Sequence, residues 1–307
     1  MSRLRTNRII AACVSVAVLL SLALPARAGQ PPMGPPEGAK ALRNLEYATA
    51  SGRSLLLDLY LPENPPGKLP VVVWIHGGAW IGGSKDGCPA VPMTARGYAV
   101  ASISYRFSNV APFPAQIHDC KAAIRWLRAN AKPHNLDPDH IGVWGASAGG
   151  HLVAMLGTSG GVKELEGDEG NLDQPSRVQA VCDWFGPTDL LQMAATTGDR
   201  KAFPPSGSPD SPESKLVGGP LLENKDKAAK ASPITYVSKD CPPFLIMHGD
   251  KDPLVPLGQS ELFCEALKKA GADATLHVVK GAGHGFGGPE INKMVNDFFD
   301  KHLKPAK

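Results

Sequence analysis

The chain of 307 residues lacks any C-x-x-C pair or His/Cys spacing of the kind that holds a metal, and neither a metal nor an organic cofactor is expected. A large excess of charge of one sign is lacking too. The net charge is +3, and all four arginines of the first 28 residues (Arg3, Arg5, Arg8, Arg27) contribute to it; without them the balance is −1. A nearly neutral body does not suit nucleic acid, and no nucleic-acid partner is expected. There is no internal repeat and no break in composition, so one core is expected rather than two. Cysteine is sparse: beyond Cys13 there are Cys88, Cys120, Cys182, Cys241 and Cys264, an odd set that leaves at least one unpaired if the others bridge.

What stands at the start is a pattern for export. A positive stretch precedes the apolar run Ile9 to Leu24, and Ala26-Arg27-Ala28 reads as a cleavage signal. That run is short for a membrane span, so no stable membrane anchor is expected and the mature chain should be secreted or periplasmic. Residues 29–42, with four prolines between Gln30 and Gly38, read as a disordered leader before a catalytic domain over 43–307.

From Arg43 the pattern alternates strand and helix. Asn44 to Ala50 and Ser54 to Leu61 predict a hairpin turning at Ser51-Gly52. Leu69 to His76, Tyr98 to Ser104, Ile141 to Trp144, Val178 to Trp184, Pro243 to His248 and Thr275 to Val279 are short apolar runs, as in strands covered on both faces. Asp137-Pro138-Asp139 reads as a turn. Helical periods fall at Ala115 to Asn130, Leu257 to Ala270 and Glu290 to His302. The sum is an α/β fold, a mostly parallel sheet of about eight strands with helices on both faces. Thr196 to Ser232 breaks the pattern, being rich in Pro, Gly, Ser and Lys, and reads as a loop excursion near a substrate rim.

Chemistry concentrates at Gly145-Ala146-Ser147-Ala148-Gly149, which fits G-x-S-x-G between a strand and a helix. A serine on so tight a turn needs neighbours without β-carbons, and the helix behind it aims free N–H groups at a developing anion. Such a serine needs an imidazole base and a carboxylate to hold the tautomer, in the order Ser, Asp, His. His284 follows the last strand and Asp252 the one before. Asp250 is a close rival that could instead fix the loop. His248 and His277 belong to strands, and His151 belongs under the elbow helix. His76-Gly77-Gly78-Ala79-Trp80 ends the third strand, where the N–H groups of Gly77 and Gly78 would join that of Ala148 in an oxyanion hole. Trp80, Trp184, Phe185 and Phe286 fall on loops at the same sheet edge and suggest an apolar pocket wall.

These motifs resemble those of α/β-hydrolases of the carboxylesterase/lipase group, from about Arg43 to Leu303. His76-Gly-Gly-Ala-Trp80 is similar to the H-G-G-G-[FWY] motif of hormone-sensitive-lipase-like esterases, with alanine for the third glycine. Phe113-Pro-Ala-Gln116, Phe185-Gly-Pro-Thr-Asp189 and Asp250-Lys-Asp-Pro-Leu-Val-Pro256 look more like the secreted feruloyl/acetyl-xylan esterase-like branch. The chain departs from the lipase-like members, which carry a helical cap before the first strand: only the proline-rich leader stands there, and no large cap is expected. The resemblance implies a Ser147-Asp252-His284 triad with Gly77 and Gly78 as donors. It implies hydrolysis of short or aromatic acyl esters, small or borne on polysaccharide. A general carboxylesterase, a polyesterase, an arylformamidase-type hydrolase or an inactive binding protein on the same fold are the other readings. Strand and helix directions also allow Cys241–Cys264 and Cys88–Cys120 disulfides.

Overall fold

The computed structural model describes residues 34–65, 67–196, 200 and 202–304. The expected export signal over 1–28 and the expected leader up to residue 33 lie outside these. Eight strands form one sheet: β1 (Ala39–Ala50), β2 (Arg53–Pro62), β3 (Leu69–Ile75), β4 (Ala99–Ile103), β5 (Leu136–Ala146), β6 (Ala180–Trp184), β7 (Phe244–Gly249) and β8 (Ala274–Val279). Their spatial order is β1-β2-β4-β3-β5-β6-β7-β8. The β1–β2 hairpin joins antiparallel through β4, and every pairing beyond β4 is parallel. Ser51 and Gly52 both take positive φ, 50° and 67°, which matches the strand twist of a two-residue hairpin turn.

Alternation along the strands divides the core in two. Val71, Val73, Ile75, Ile141 and Val143 point to one face, Val72, Trp74 and Trp144 to the other, all of them buried. The first face is covered by α1 (Ala115–Ala129), then past the short α2 (Ala131–His134) by α3 (Ala148–Thr158). Ile117, Cys120, Ile124 and Leu127 are the stripe that α1 buries there. Between β6 and β7 come α4 (Leu190–Thr196), α5 (Pro212–Val217) and α6 (Lys225–Lys230). Next in the chain, α7 (Gly258–Lys269) adds Phe263, Cys264 and Leu267 to the first face, whereas α8 (Pro289–Leu303) covers the second. Ile291, Val295, Phe299 and Leu303 recur every four residues along α8 and are buried. Truncating the fully buried Phe299 ring should cost about 3–5 kcal/mol, the lost burial plus the cavity left behind. No helix among the described residues is long and apolar enough to cross a membrane.

Four expectations need correction. β1 begins at Ala39, inside the stretch read as disordered leader, because its backbone pairs with β2 from Pro62 onward. Asp137 to Asp139 is not a free turn but part of β5, at an irregularity where Leu69 pairs with Leu136 and Val71 with Ile141. The 196–232 excursion is not a bare loop: it carries α5, α6 and a 3-10 turn at Leu221–Glu223, anchored by buried Leu216, Val217 and Leu221. All five described cysteines are free thiols. Cys88 and Cys120 lie on opposite faces of the sheet, which keeps them apart. The Cys264 thiol turns to the Ala274 carbonyl, and the Cys241 sulfur takes the Ser238 N–H instead.

Candidate active site

The end of β5 delivers Ser147 on a turn with φ 57° and ψ −120°, a conformation that the surrounding contacts must enforce. They do so on both sides. The Ser147 N–H donates to the Trp184 carbonyl at 2.9 Å, and its own carbonyl accepts from His151 N–H at 2.9 Å. A β-carbon at Gly145 would collide with the Gly149 carbonyl, and one at Gly149 with the Ile75 carbonyl. The glycines are what let strand, turn and helix close up. The first N–H groups of α3 have no partner within the helix and lie beside the serine.

Ser147, His284 and Asp252 meet. His284 Nε2 is 2.9 Å from Ser147 Oγ, and its Nδ1 is 2.7 Å from Asp252 Oδ2. Burial alone would raise the Asp252 pKa, but hydrogen bonds from His248 and His284, the charge of His284 and the Val255 N–H hold it well below the usual carboxylate range. Being ionised, that carboxylate only accepts, so His284 Nδ1 carries the proton and Nε2 is left to accept from the serine hydroxyl. Asp252 Oδ1 takes the N–H groups of Leu254 and Val255 at 2.8 and 3.0 Å, which fixes its orientation. The Phe185 ring packs on the His284 imidazole with centroids 4.6 Å apart. Asp250 is elsewhere: exposed, it accepts from the Gly281 N–H at 2.6 Å and ties its own loop to the one bearing His284.

The end of β3 closes the other side. A β-carbon at Gly77 would lie 2.8 Å from the Ala146 carbonyl oxygen and 3.3 Å from Ser147 Cβ, so its backbone is against the serine. Gly78, Ala79 and Trp80 follow with φ of 119°, 54° and 58°. The Gly78 carbonyl accepts from both Ile81 and Gly82 N–H, which makes this run a tight turn. His76 Nδ1 donates to the Gly77 carbonyl at 2.7 Å, and its ring stacks on Tyr105. Trp80 is buried and donates from Nε1 to His151 Nδ1 at 3.1 Å, while His151 Nε2 donates to the Ala231 carbonyl at 2.7 Å. Burial pushes the His151 imidazole down to about 4 in spite of that carbonyl bond, so it stays neutral and acts as a strut between loop and helix.

Above the serine is a pocket of about 30 Å³. Ser147, Ala148 and His284 form its floor, with Ala79 and Trp80 at one side. Its roof is Met193 of α4 with Arg200, Phe203, Pro212 and Glu213 of the excursion. The expected wall of four aromatics therefore reduces to Trp80. Trp184 lies in the core under α8, with Trp144 and Phe286 each 4.9 Å from it, and Phe185 backs His284. Loop position places these rings at the right sheet edge, but the strand period turns Trp184 to the face away from the pocket.

The sequence reading misses two parts of the site. His248 lies directly behind Asp252: its Nε2 donates to the Val255 carbonyl at 2.9 Å and is 3.2 Å from Asp252 Oδ2, while Nδ1 meets Ser260 Oγ at 2.7 Å. The four-residue spacing from His248 to Asp252 on a strand-end turn is a signal for it. For Arg200 and Glu213 no periodicity gives a signal. Among the described residues no group of three or more His, Cys, Asp or Glu is placed to hold a metal.

The arrangement supplies a hydroxyl, a base in the accepting tautomer and N–H groups beside them, the parts needed for acyl transfer. Known proteins of similar sequence and structure agree with that chemistry. Esterase LipQ of Mycobacterium tuberculosis is 36% identical over 72% of this chain, which spans only 51% of LipQ. A truncated carbohydrate esterase from gut microbiota is 37% identical with a TM-score of 0.79, covering 88% of this chain and 99% of that one. A thermophilic esterase, Est2, of Thermogutta terrifontis is 27% identical with a TM-score of 0.69, covering 89% and 96%. The BD-FAE family model matches residues 57–267. The chain belongs to the BD-FAE family, α/β-hydrolase carboxylesterases of the hormone-sensitive-lipase-like group.

Proposed function

We propose that this protein is an exported serine esterase that removes short acyl groups, acetyl foremost, from carbohydrate or other bulky alcohols. The observation that carries the reading is the hydrogen-bonded line Ser147–His284–Asp252 opening into a pocket of about 30 Å³. A single water needs about 10–15 Å³ by this measure, so the space suits a methyl or ethyl group. Ser147 Oγ attacks the acyl carbon as its proton passes to His284 Nε2. The oxyanion is held by the N–H groups of Gly77, Gly78 and Ala148. Collapse breaks the bond to the alcohol, which leaves with the proton from His284; water then repeats the sequence on the acyl-enzyme and frees the acid. Asp252 stabilises the imidazolium throughout. Aromatic acyl groups lose their support, since Trp184 is in the core beneath α8 and Phe286 packs against it rather than lining the pocket.

A panel of p-nitrophenyl acetate, acetylated xylan and methyl ferulate tests the substrate class. Acetyl esters should be turned over well, methyl ferulate poorly, and Ser147→Ala should be inactive on all three. Preference for methyl ferulate would overturn the acyl assignment. Export rests on the first 28 residues, and the amino terminus of protein recovered from periplasm or medium should be Gly29. An intact Met1 on cell-retained protein would contradict it.

A further inference from the structure

Among the described residues three histidines are buried, and one of them touches the catalytic line. His76 bonds the Gly77 carbonyl, and His151 bonds Trp80 and the Ala231 carbonyl. His248, at the end of β7, instead reaches Asp252. Its Nε2 is 2.9 Å from the Val255 carbonyl and 3.2 Å from Asp252 Oδ2, while His284 Nδ1 meets that same oxygen at 2.7 Å. Both neighbours of Nε2 are acceptors, so Nε2 carries the proton and shares it between them. In the neutral ring Nδ1 then accepts from the Ser260 hydroxyl at 2.7 Å. Asp252 Oδ1 has the Leu254 and Val255 N–H groups, so the four acceptor sites of the carboxylate are filled. Burial works against its charge, and these hydrogen bonds outweigh that. The His248 and Asp252 side chains are fully covered, whereas His284 keeps 17% exposed. The inner histidine is the fixed one, anchored to α7 through Ser260.

We propose that His248 is a positioning residue for the reaction: its Nε2–H holds Asp252 on His284 Nδ1 and limits how strongly that carboxylate draws the proton of the imidazolium. This rests on the reading of Ser147, His284 and Asp252 as a catalytic triad. A carboxylate oxygen shared between two N–H groups presents less negative charge to each. Losing the His248 donor leaves Asp252 a stronger acceptor for His284, and the imidazole then keeps its second proton to higher pH, where it cannot act as the base. The loss also frees Asp252 and Val255 to shift. Val255 lines the pocket, and misplacement there slows acyl transfer. Other charged groups nearby have different surroundings. Asp183 on β6 is close enough to His248 to feel its charge, and burial raises its carboxyl to about 6. Asp250 and Lys251 are exposed, and Arg200 and Glu213 across the pocket pair with each other.

Side chains of two lengths give the test. The amide of His248→Gln reaches the level of Nε2, whereas that of His248→Asn reaches only the level of Nδ1, where Ser260 stands. The readout is kcat and kcat/KM for p-nitrophenyl acetate against pH. In His248→Asn the acidic limb of kcat/KM should move up by about 0.5–1 pH unit, and kcat should fall about 3- to 10-fold with KM changed less than about twofold. His248→Gln should keep the limb at its wild-type position. Both variants lose the same ring, so a merely structural role would lower both denaturant midpoints and leave the limb in place. Where His248→Asn does not fold, His248→Met fills the space without an N–H and should give the same upward shift. Asp183 titrates in the same range, so the variants are repeated with Asp183→Asn, and the difference between them should persist. A limb that stays in place without the donor, that moves equally in His248→Asn and His248→Gln, or whose difference vanishes with Asp183→Asn overturns the proposal. A wild-type enzyme that leaves the ester intact, or Ser147→Ala that still cleaves it, overturns the triad reading instead.

Discussion

Two regions face each other across the pocket, and they are held in place by different means. Below, Ser147, Asp252 and His284 stand on turns at the ends of parallel strands, and backbone contacts fix them: Ser147 N–H to the Trp184 carbonyl, Leu254 and Val255 N–H to Asp252. Above, the excursion has helices of six residues and is knitted by side chains. Ser211 Oγ donates to the Ser206 carbonyl, Ser214 Oγ to the Ser208 carbonyl, and Arg200 to Glu213. The difference separates reaction from selection. Nearly any change in the floor removes a group that the chemistry requires, whereas the roof can change which ester fits.

The sharpest break in that comparison is in the floor. Ser147→Ala or His284→Ala should lower kcat for p-nitrophenyl acetate by about 10⁴-fold or more while leaving the fold intact, because the members act as one unit. Asp252→Asn should lose about 10⁴-fold by favouring the wrong tautomer of His284. Asp250→Asn should act on stability alone, through its bond to the Gly281 N–H. If His284→Ala stays near wild-type activity, or Asp250→Asn falls as far as Asp252→Asn, the floor has been assigned wrongly.

The roof should show itself in acyl length. Each methylene adds about 0.8 kcal/mol of binding only while it leaves water. A pocket of about 30 Å³ runs out after two or three carbons, since Phe203 and the Arg200–Glu213 pair close it. The kcat/KM series of p-nitrophenyl esters should peak at acetyl to butyryl and fall by about 100-fold at octanoyl. A maximum at octanoyl or beyond would mean that the roof opens.

These differences also decide what is legible in sequence. The elbow is readable because a serine in that conformation needs Gly145 and Gly149 beside it, and the strands because unbroken runs such as Leu69–Ile75 are buried on both faces. Asp252 and His284 are readable by their place after late strands. Trp184 misleads because loop position says which edge a residue occupies, not which face its ring takes. The roof is opaque for a further reason. Buried Leu216, Val217 and Leu221 are too few for a period, and the Arg200–Glu213 pair spans residues whose order in sequence implies nothing about contact.

Buried charge beneath the floor gives a smaller effect, read in stability. Burial raises the Asp183 carboxyl to about 6, against the Gly186 N–H bond and the nearby His248, whereas Asp252 is held low by its partners. A folded-state pKa above the unfolded one means that the native state binds the proton more tightly. The stability this confers is complete below about pH 4 and is lost as pH rises through about 6. Asp183→Asn should therefore be the more stable protein at pH 8, by about 1–3 kcal/mol, with little advantage at pH 4. Denaturant midpoints of both proteins at the two pH values check the sign. An advantage confined to pH 4 would mean that Asp183 is ionised and well partnered.

The smallest effect lies where floor and roof meet, at Ala79. Its φ of 54° is costly for an L-residue with a β-carbon and free of strain for glycine. Ala79→Gly removes that strain, about 1–2 kcal/mol, and gives back about 0.5–1 kcal/mol in unfolded-chain entropy. A net gain of about 0.5–1 kcal/mol in denaturant unfolding should result. The same methyl lines the pocket, so its loss enlarges the space over Ser147 by about one carbon. Propionyl esters should then gain on acetyl esters by about two- to fourfold in kcat/KM, as one methylene finds cover. Higher stability with an unchanged acetyl-to-propionyl ratio would put the limit on acyl size in the roof, at Phe203. Lower stability would mean that the Ala79 β-carbon makes contacts worth more than the strain it bears.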